Sequence, residues 1–188
     1  MKWLFLLFPL PFLFSCEKPT LASAPAETQA PAPDGYDPEA KLRELGIELT
    51  APGTPVANYV HAVRTGNLLF LAGKGPGLPD GSYIAGRVGV DLTVEQGYDA
   101  ARLTAIHQLA VLKAELGDLK KVKRIVKVLG MVNSPEGFAN QPEVLNGYSD
   151  LMVAVFGDRG RHARSAVGMA ALPRNICVEI EMIVEISD

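Results

Sequence analysis

Residues 177–186 read Cys177-Val178-Glu179-Ile180-Glu181-Met182-Ile183-Val184-Glu185-Ile186. Val178, Ile180, Met182, Val184 and Ile186 fall on one parity, with Glu179, Glu181 and Glu185 on the other. That period of two marks a strand with one face against a core. The turn Pro173-Arg174-Asn175 precedes it, and Ala166 to Leu172 forms the strand before that turn. Further upstream, Val144, Leu145, Tyr148, Leu151, Met152, Val155 and Phe156 recur at i, i+3, i+4, i+7, so a helix opens near Pro142 and ends at Gly157. Val122 to Val132 is β-branched and apolar on both parities, as a central strand should be.

A second helix begins at the capping box Thr93-Val94-Glu95-Gln96 and carries Tyr98, Ala101, Ala105, Ile106, Leu109, Leu112 and Leu116 to a C-cap at Gly117. Val60 to Val63 and Leu68 to Leu71, split by Arg64-Thr65-Gly66-Asn67, predict a hairpin. The order is hairpin, helix, strand, helix and a closing pair of strands. It predicts an α+β fold, a mixed sheet with two helices on one face. A single domain of this size has nothing to cover the other face, so self-association follows.

The chain has 188 residues, 48% hydrophobic and 21% charged, which suits one globular domain plus an appendage. Its 18 Lys+Arg against 21 Asp+Glu give a net charge of -3, which disfavours a sequence-independent nucleic-acid binder. Two cysteines and three histidines, with no Cys-x-x-Cys, give no structural metal site. No cofactor fingerprint is present: the loop Gly73-Lys74-Gly75-Pro76-Gly77 lacks the Walker pattern and reads as a turn.

Lys2 precedes an uncharged apolar run from Trp3 to Phe14, too short for a bilayer span and suited to a signal peptide. Leu13-Phe14-Ser15-Cys16 resembles the lipobox of bacterial lipoproteins. It implies a lipidated Cys16, a membrane anchor and a place in the cell envelope facing the periplasm. An ordinary cleaved signal with an incidental cysteine is the alternative. The organisation expected is a signal peptide at 1–15, the lipidated cysteine and a Pro/Ala-rich tether at 16–40, and a folded domain at 41–188.

Two places in the body carry chemistry. Arg159-Gly160-Arg161-His162-Ala163-Arg164-Ser165 sets three arginines before a strand, which suits either a carboxylate or phosphate clamp or a solvated turn with surface salt bridges. Glu179, flanked by Val178 and Ile180, either faces solvent or lies inside, where it must be paired or protonated. His162 reads as a surface neighbour of the arginines, and Cys177 as a small buried hydrophobe.

As a set, several pieces resemble the RidA family, also called YjgF or endoribonuclease L-PSP. They are Asn58-Tyr59-Val60, Ala72-Gly73-Lys74-Gly75-Pro76, Asn146, Ala163-Arg164-Ser165, Leu172-Pro173 and Val178-Glu179-Ile180-Glu181. Within it, Asn146 to Leu151 and Gly160 to Gly168 are closer to the YjgF/chorismate-mutase-like endoribonuclease branch. The resemblance implies a chorismate-mutase-like fold assembled as a homotrimer, with clefts for a small carboxylate between subunits. It also implies hydrolysis of enamine/imine acids such as 2-aminoacrylate to a 2-keto acid and ammonia. Arg164 would hold the substrate carboxylate, Glu179 would activate water, and Tyr59, Gly73 and Asn146 would line the cleft. Ala166 stands where RidA itself has a cysteine. A non-catalytic ligand sensor or scaffold on the same cleft is the alternative, and ribonuclease activity the weaker one.

Overall fold

Strands β1 (Ala62–Thr65), β2 (Leu68–Lys74), β3 (Val122–Asn133), β4 (Ala163–Met169) and β5 (Val178–Ile186) form one sheet in the order β1-β2-β5-β3-β4. The computed structural model describes residues 35–55 and 57–187, which fall within one compact unit. The expected signal peptide, Cys16 and most of the expected tether lie outside the described residues. β1, β2, β5 and β3 pair antiparallel in turn, while β4 runs parallel to β3 at the far edge. The sheet is therefore mixed, as expected. Its one parallel pair, β3 with β4, is joined by a crossover through helix α3 (Gln141–Phe156).

Helix α2 (Val94–Leu116) starts at the expected capping box: Thr93 Oγ1 accepts from Gln96 N at 3.2 Å and Gln96 Oε1 from Thr93 N at 2.8 Å. It ends at Gly117. On α3 every member of the predicted stripe is buried, from Val144 to Phe156. Val178, Ile180, Met182, Val184 and Ile186 of β5 are buried in the same core. α2 and α3 pack closely because position 147 is glycine: a Cβ there would collide with the Tyr98 carbonyl oxygen. A short helix, α1 (Pro38–Glu44), is capped by Asp37 and begins ahead of the boundary drawn at residue 41. Among the described residues no helix is long and apolar enough to cross a membrane.

Three local expectations shift. β1 starts at Ala62 rather than Val60, and its turn contracts to Gly66-Asn67 between the paired Thr65 and Leu68, with Gly66 at φ +58. β4 occupies Ala163–Met169 instead of 166–172, because its pairing with β3 already begins at Ala163. β5 does not lie beside β4; it inserts between β2 and β3. That shift places Arg164 inside an edge strand rather than ahead of it.

Candidate active site

Arg164 sits opposite Val128 of β3, on the side of the sheet that faces α3. Its guanidinium is held from that helix. Nη1 donates to Asn146 Oδ1 at 3.1 Å and to Ser149 Oγ at 3.0 Å, and Nη2 donates to Pro142 O at 3.4 Å. Asn146 and Ser149 lie one helical turn apart, which is why both reach the same group. A guanidinium has five N–H donors. The bonds to α3 leave Nε–H and one Nη2–H, on the adjacent nitrogens with which arginine grips a carboxylate bidentately. Arg164 is half-buried and Asn146 exposed, so the fork stays open to solvent.

The three arginines do not form one clamp. Arg159 stacks over Tyr36, 4.4 Å from the ring centroid, and donates to Val122 O at 3.3 Å. Arg161 forms an exposed pair with Asp158 at 3.1 Å. Arg159 lies in the short turn of helix Gly157–Gly160 and Arg161 just after it, both ahead of β4, so of the three only Arg164 is bonded to α3.

Glu179 lies on β5 opposite Met131, on the sheet face away from the helices. It is half-buried, and its carboxylate rests over Gly73, where any Cβ would collide with Oε1. Glycine is thus required at position 73 for the carboxylate to lie as it does. Burial, and secondarily the charge of Glu181, push the Glu179 carboxyl above its ordinary value. The β2–β5 register slips between Leu71 and Lys74, and buried Gln108 of α2 donates to Ala72 O at 3.1 Å and Ile180 O at 2.8 Å at this irregularity. Ala72 N donates to His61 O at 2.9 Å, so the exposed Tyr59 lies two residues beyond, at the same end of β2 as Gly73.

The predicted residues therefore form two groups within a protomer: Arg164 with Asn146, and Glu179 with Gly73. Arg164 and Glu179 occupy strands separated by β3 and opposite faces of the sheet. One protomer does not bring them together. Several participants escaped sequence reading. Ser149 binds Arg164. His162 is half-buried rather than a surface neighbour, with both ring nitrogens engaged. Lys74 Nζ donates to His61 Nδ1 at 2.7 Å, and burial lowers its pKa. The i, i+3 spacing of Asn146 and Ser149 was the available signal for the first. Cys177 is buried, as expected, and burial pushes its thiol up to about 11. Among the described residues no three His, Cys, Asp or Glu side chains cluster to hold a metal ion.

Residues 39–186 match the family described as "YjgF/chorismate mutase-like, putative endoribonuclease". The chain belongs to this family. Protein TCP17 of Trypanosoma cruzi is 44% identical over 150 residues, covering 79% of this chain and 94% of that protein. The crystal structure of Atu1372 from Agrobacterium tumefaciens, described as of unknown function, is 45% identical with a TM-score of 0.73, covering 80% of this chain and 94% of that one. RidA from the Antarctic bacterium Psychrobacter sp. PAMC 21119 is 29% identical with a TM-score of 0.50, covering 72% and 94%. The mixed α+β architecture of this family member is thus the chorismate-mutase-like RidA fold.

Proposed function

We propose that this YjgF/RidA-family chain binds a small carboxylate between copies of itself and hydrolyses enamine/imine acids of the 2-aminoacrylate type. The observation that carries the reading is Arg164, a half-open guanidinium held by α3 with two donors on adjacent nitrogens left over. In the imine form of the substrate, Glu179 takes a proton from water as the oxygen bonds to the imine carbon, and the proton passes to nitrogen to give a carbinolamine. The carbinol hydroxyl proton then passes to nitrogen by way of Glu179, the C=O bond forms as the C–N bond breaks, and ammonia and a 2-keto acid leave. A carboxylate whose pKa is raised by burial suits this double role near neutral pH.

Assembly as a homotrimer is part of the proposal. Val63 and its cross-strand partner Phe70, with Val167 on the far edge strand, are 56%, 41% and 38% exposed on the sheet face away from the helices, the face proposed to meet a neighbouring copy. A neighbouring copy seated there would bring its own Arg164 edge toward Glu179. The three histidines bond to separate groups, which disfavours the paired acid and base of a ribonuclease. Anchoring in the cell envelope through Cys16 rests on the lipobox resemblance, and the mass of the mature N-terminus tests it.

The experiment is ammonia release from freshly generated 2-aminoacrylate, beside a binding titration with pyruvate. Arg164→Ala is expected to weaken pyruvate by roughly 1.5–3 kcal/mol, the value of a hydrogen-bonded charge. Glu179→Gln is expected to keep pyruvate binding and lose roughly 10²–10⁴ in turnover. Pyruvate binding without ammonia release by the unaltered protein would favour the sensor reading, which Ala166 in place of the RidA cysteine also supports. No effect of Arg164→Ala on either measurement refutes the clamp.

A further inference from the structure

The contacts behind Arg164 continue through two more residues. His162 Nδ1 lies 2.7 Å from Gly160 O. A carbonyl oxygen only accepts, so Nδ1 carries the hydrogen. Burial, with the Arg164 charge acting the same way, lowers the His162 pKa, while its bond to Gly160 O works in the opposite direction. The neutral ring then presents a lone pair at Nε2, 3.0 Å from Ser149 Oγ. Ser149 must donate its hydroxyl hydrogen to Nε2, and this leaves its oxygen lone pairs to accept Arg164 Nη1. The Tyr148 ring packs against the imidazole in a T-shaped arrangement, with centroids 6.5 Å apart and planes at 84°. Every hydrogen in the row Arg164–Ser149–His162–Gly160 has one direction. The serine hydroxyl cannot turn and compete with the guanidinium.

We propose that Ser149 and His162 are positioning residues for Arg164, a one-way hydrogen-bond relay that fixes which edge of the guanidinium meets the ligand carboxylate. The proposal deepens the carboxylate-cleft reading and rests on it. Neither residue need touch the ligand. Removing the relay leaves the guanidinium held only by Asn146 Oδ1 and Pro142 O, so its free edge is less well fixed and ground-state binding suffers while the chemistry at Glu179 does not.

Two measurements on the full chain test it. The first is the ¹⁵N chemical shifts of the His162 ring at neutral pH, where the Nδ1–H tautomer is expected. An Nε2–H tautomer would reverse the relay and overturn the proposal. The second compares Ser149→Ala with Ser149→Thr, which restores the hydroxyl. Ser149→Ala is expected to raise the pyruvate Kd and the KM for 2-aminoacrylate about fivefold to tenfold, with kcat within about twofold; Ser149→Thr should recover most of the affinity. Unaltered binding in Ser149→Ala, or a loss confined to kcat, overturns positioning. If Arg164→Ala leaves pyruvate binding unaffected, the carboxylate reading falls instead, and the tautomer still decides the direction of the relay. Should Ser149→Ala fail to fold, the tautomer measurement on the unaltered chain stands alone.

Discussion

Glu179 occupies a strand whose alternate residues are buried, and its carboxyl pays for that setting with a raised pKa, from burial first and the like charge of Glu181 second. A general base works only when ionised. The sign follows directly: activity should fall on acidification at a pH above the ordinary glutamate value of about 4.3. Removing the second cause favours the ionised form, so Glu181→Gln should move the acid limb of kcat/KM downward, toward the ordinary range. The pH profile of kcat/KM for the two proteins checks this, since it reports groups of the free enzyme. An acid limb unmoved by Glu181→Gln would mean that some other group titrates. Residue identity alone left Glu179 between solvent and interior; the fold places it half-buried over Gly73, on the face opposite the core.

At the scale of elements, α3 both fills the core and holds Arg164, and its closeness to α2 depends on Gly147. Alanine there would improve helix propensity by about 1 kcal/mol. Its Cβ, however, would strike the Tyr98 carbonyl, and backbone yields less readily than a flexible side chain. Gly147→Ala is therefore expected to destabilise the fold by about 1–3 kcal/mol, and denaturant unfolding measures it. Stability equal to or above that of the unaltered protein would show that the helices part at no cost. The helices themselves were legible in the sequence because their signals are local: the Thr93–Gln96 box, the Val144-to-Phe156 stripe and the stop at Gly157 each sit within one element. The alternation of β5 was legible for the same reason. Its insertion between β2 and β3 was not, since β5 pairs on one side with residues more than 100 positions away. Ser149 and His162 were missed likewise, because their contact joins a helix turn to the approach of a strand thirteen residues on.

Across the whole molecule, the two halves of the candidate site face apart. Arg164 belongs to an edge strand and opens beside α3, whereas Glu179 belongs to the central strand and the helix-free face. If neighbouring copies complete the cleft, each site takes its guanidinium from one subunit and its carboxylate from the next. Arg164→Ala and Glu179→Gln should then each be strongly impaired alone yet rescue one another when co-expressed. In a closed ring mixed at random from equal amounts, an interface joins an intact Arg164 to an intact Glu179 about one time in four, so ammonia release should recover to about a quarter of that of the unaltered protein. Sedimentation of the same samples reports whether three copies associate. Mixed trimers with no recovered activity would place both groups in the site of a single subunit, which the separation of β4 from β5 by β3 opposes; a lone protomer that remains active would remove the shared cleft altogether.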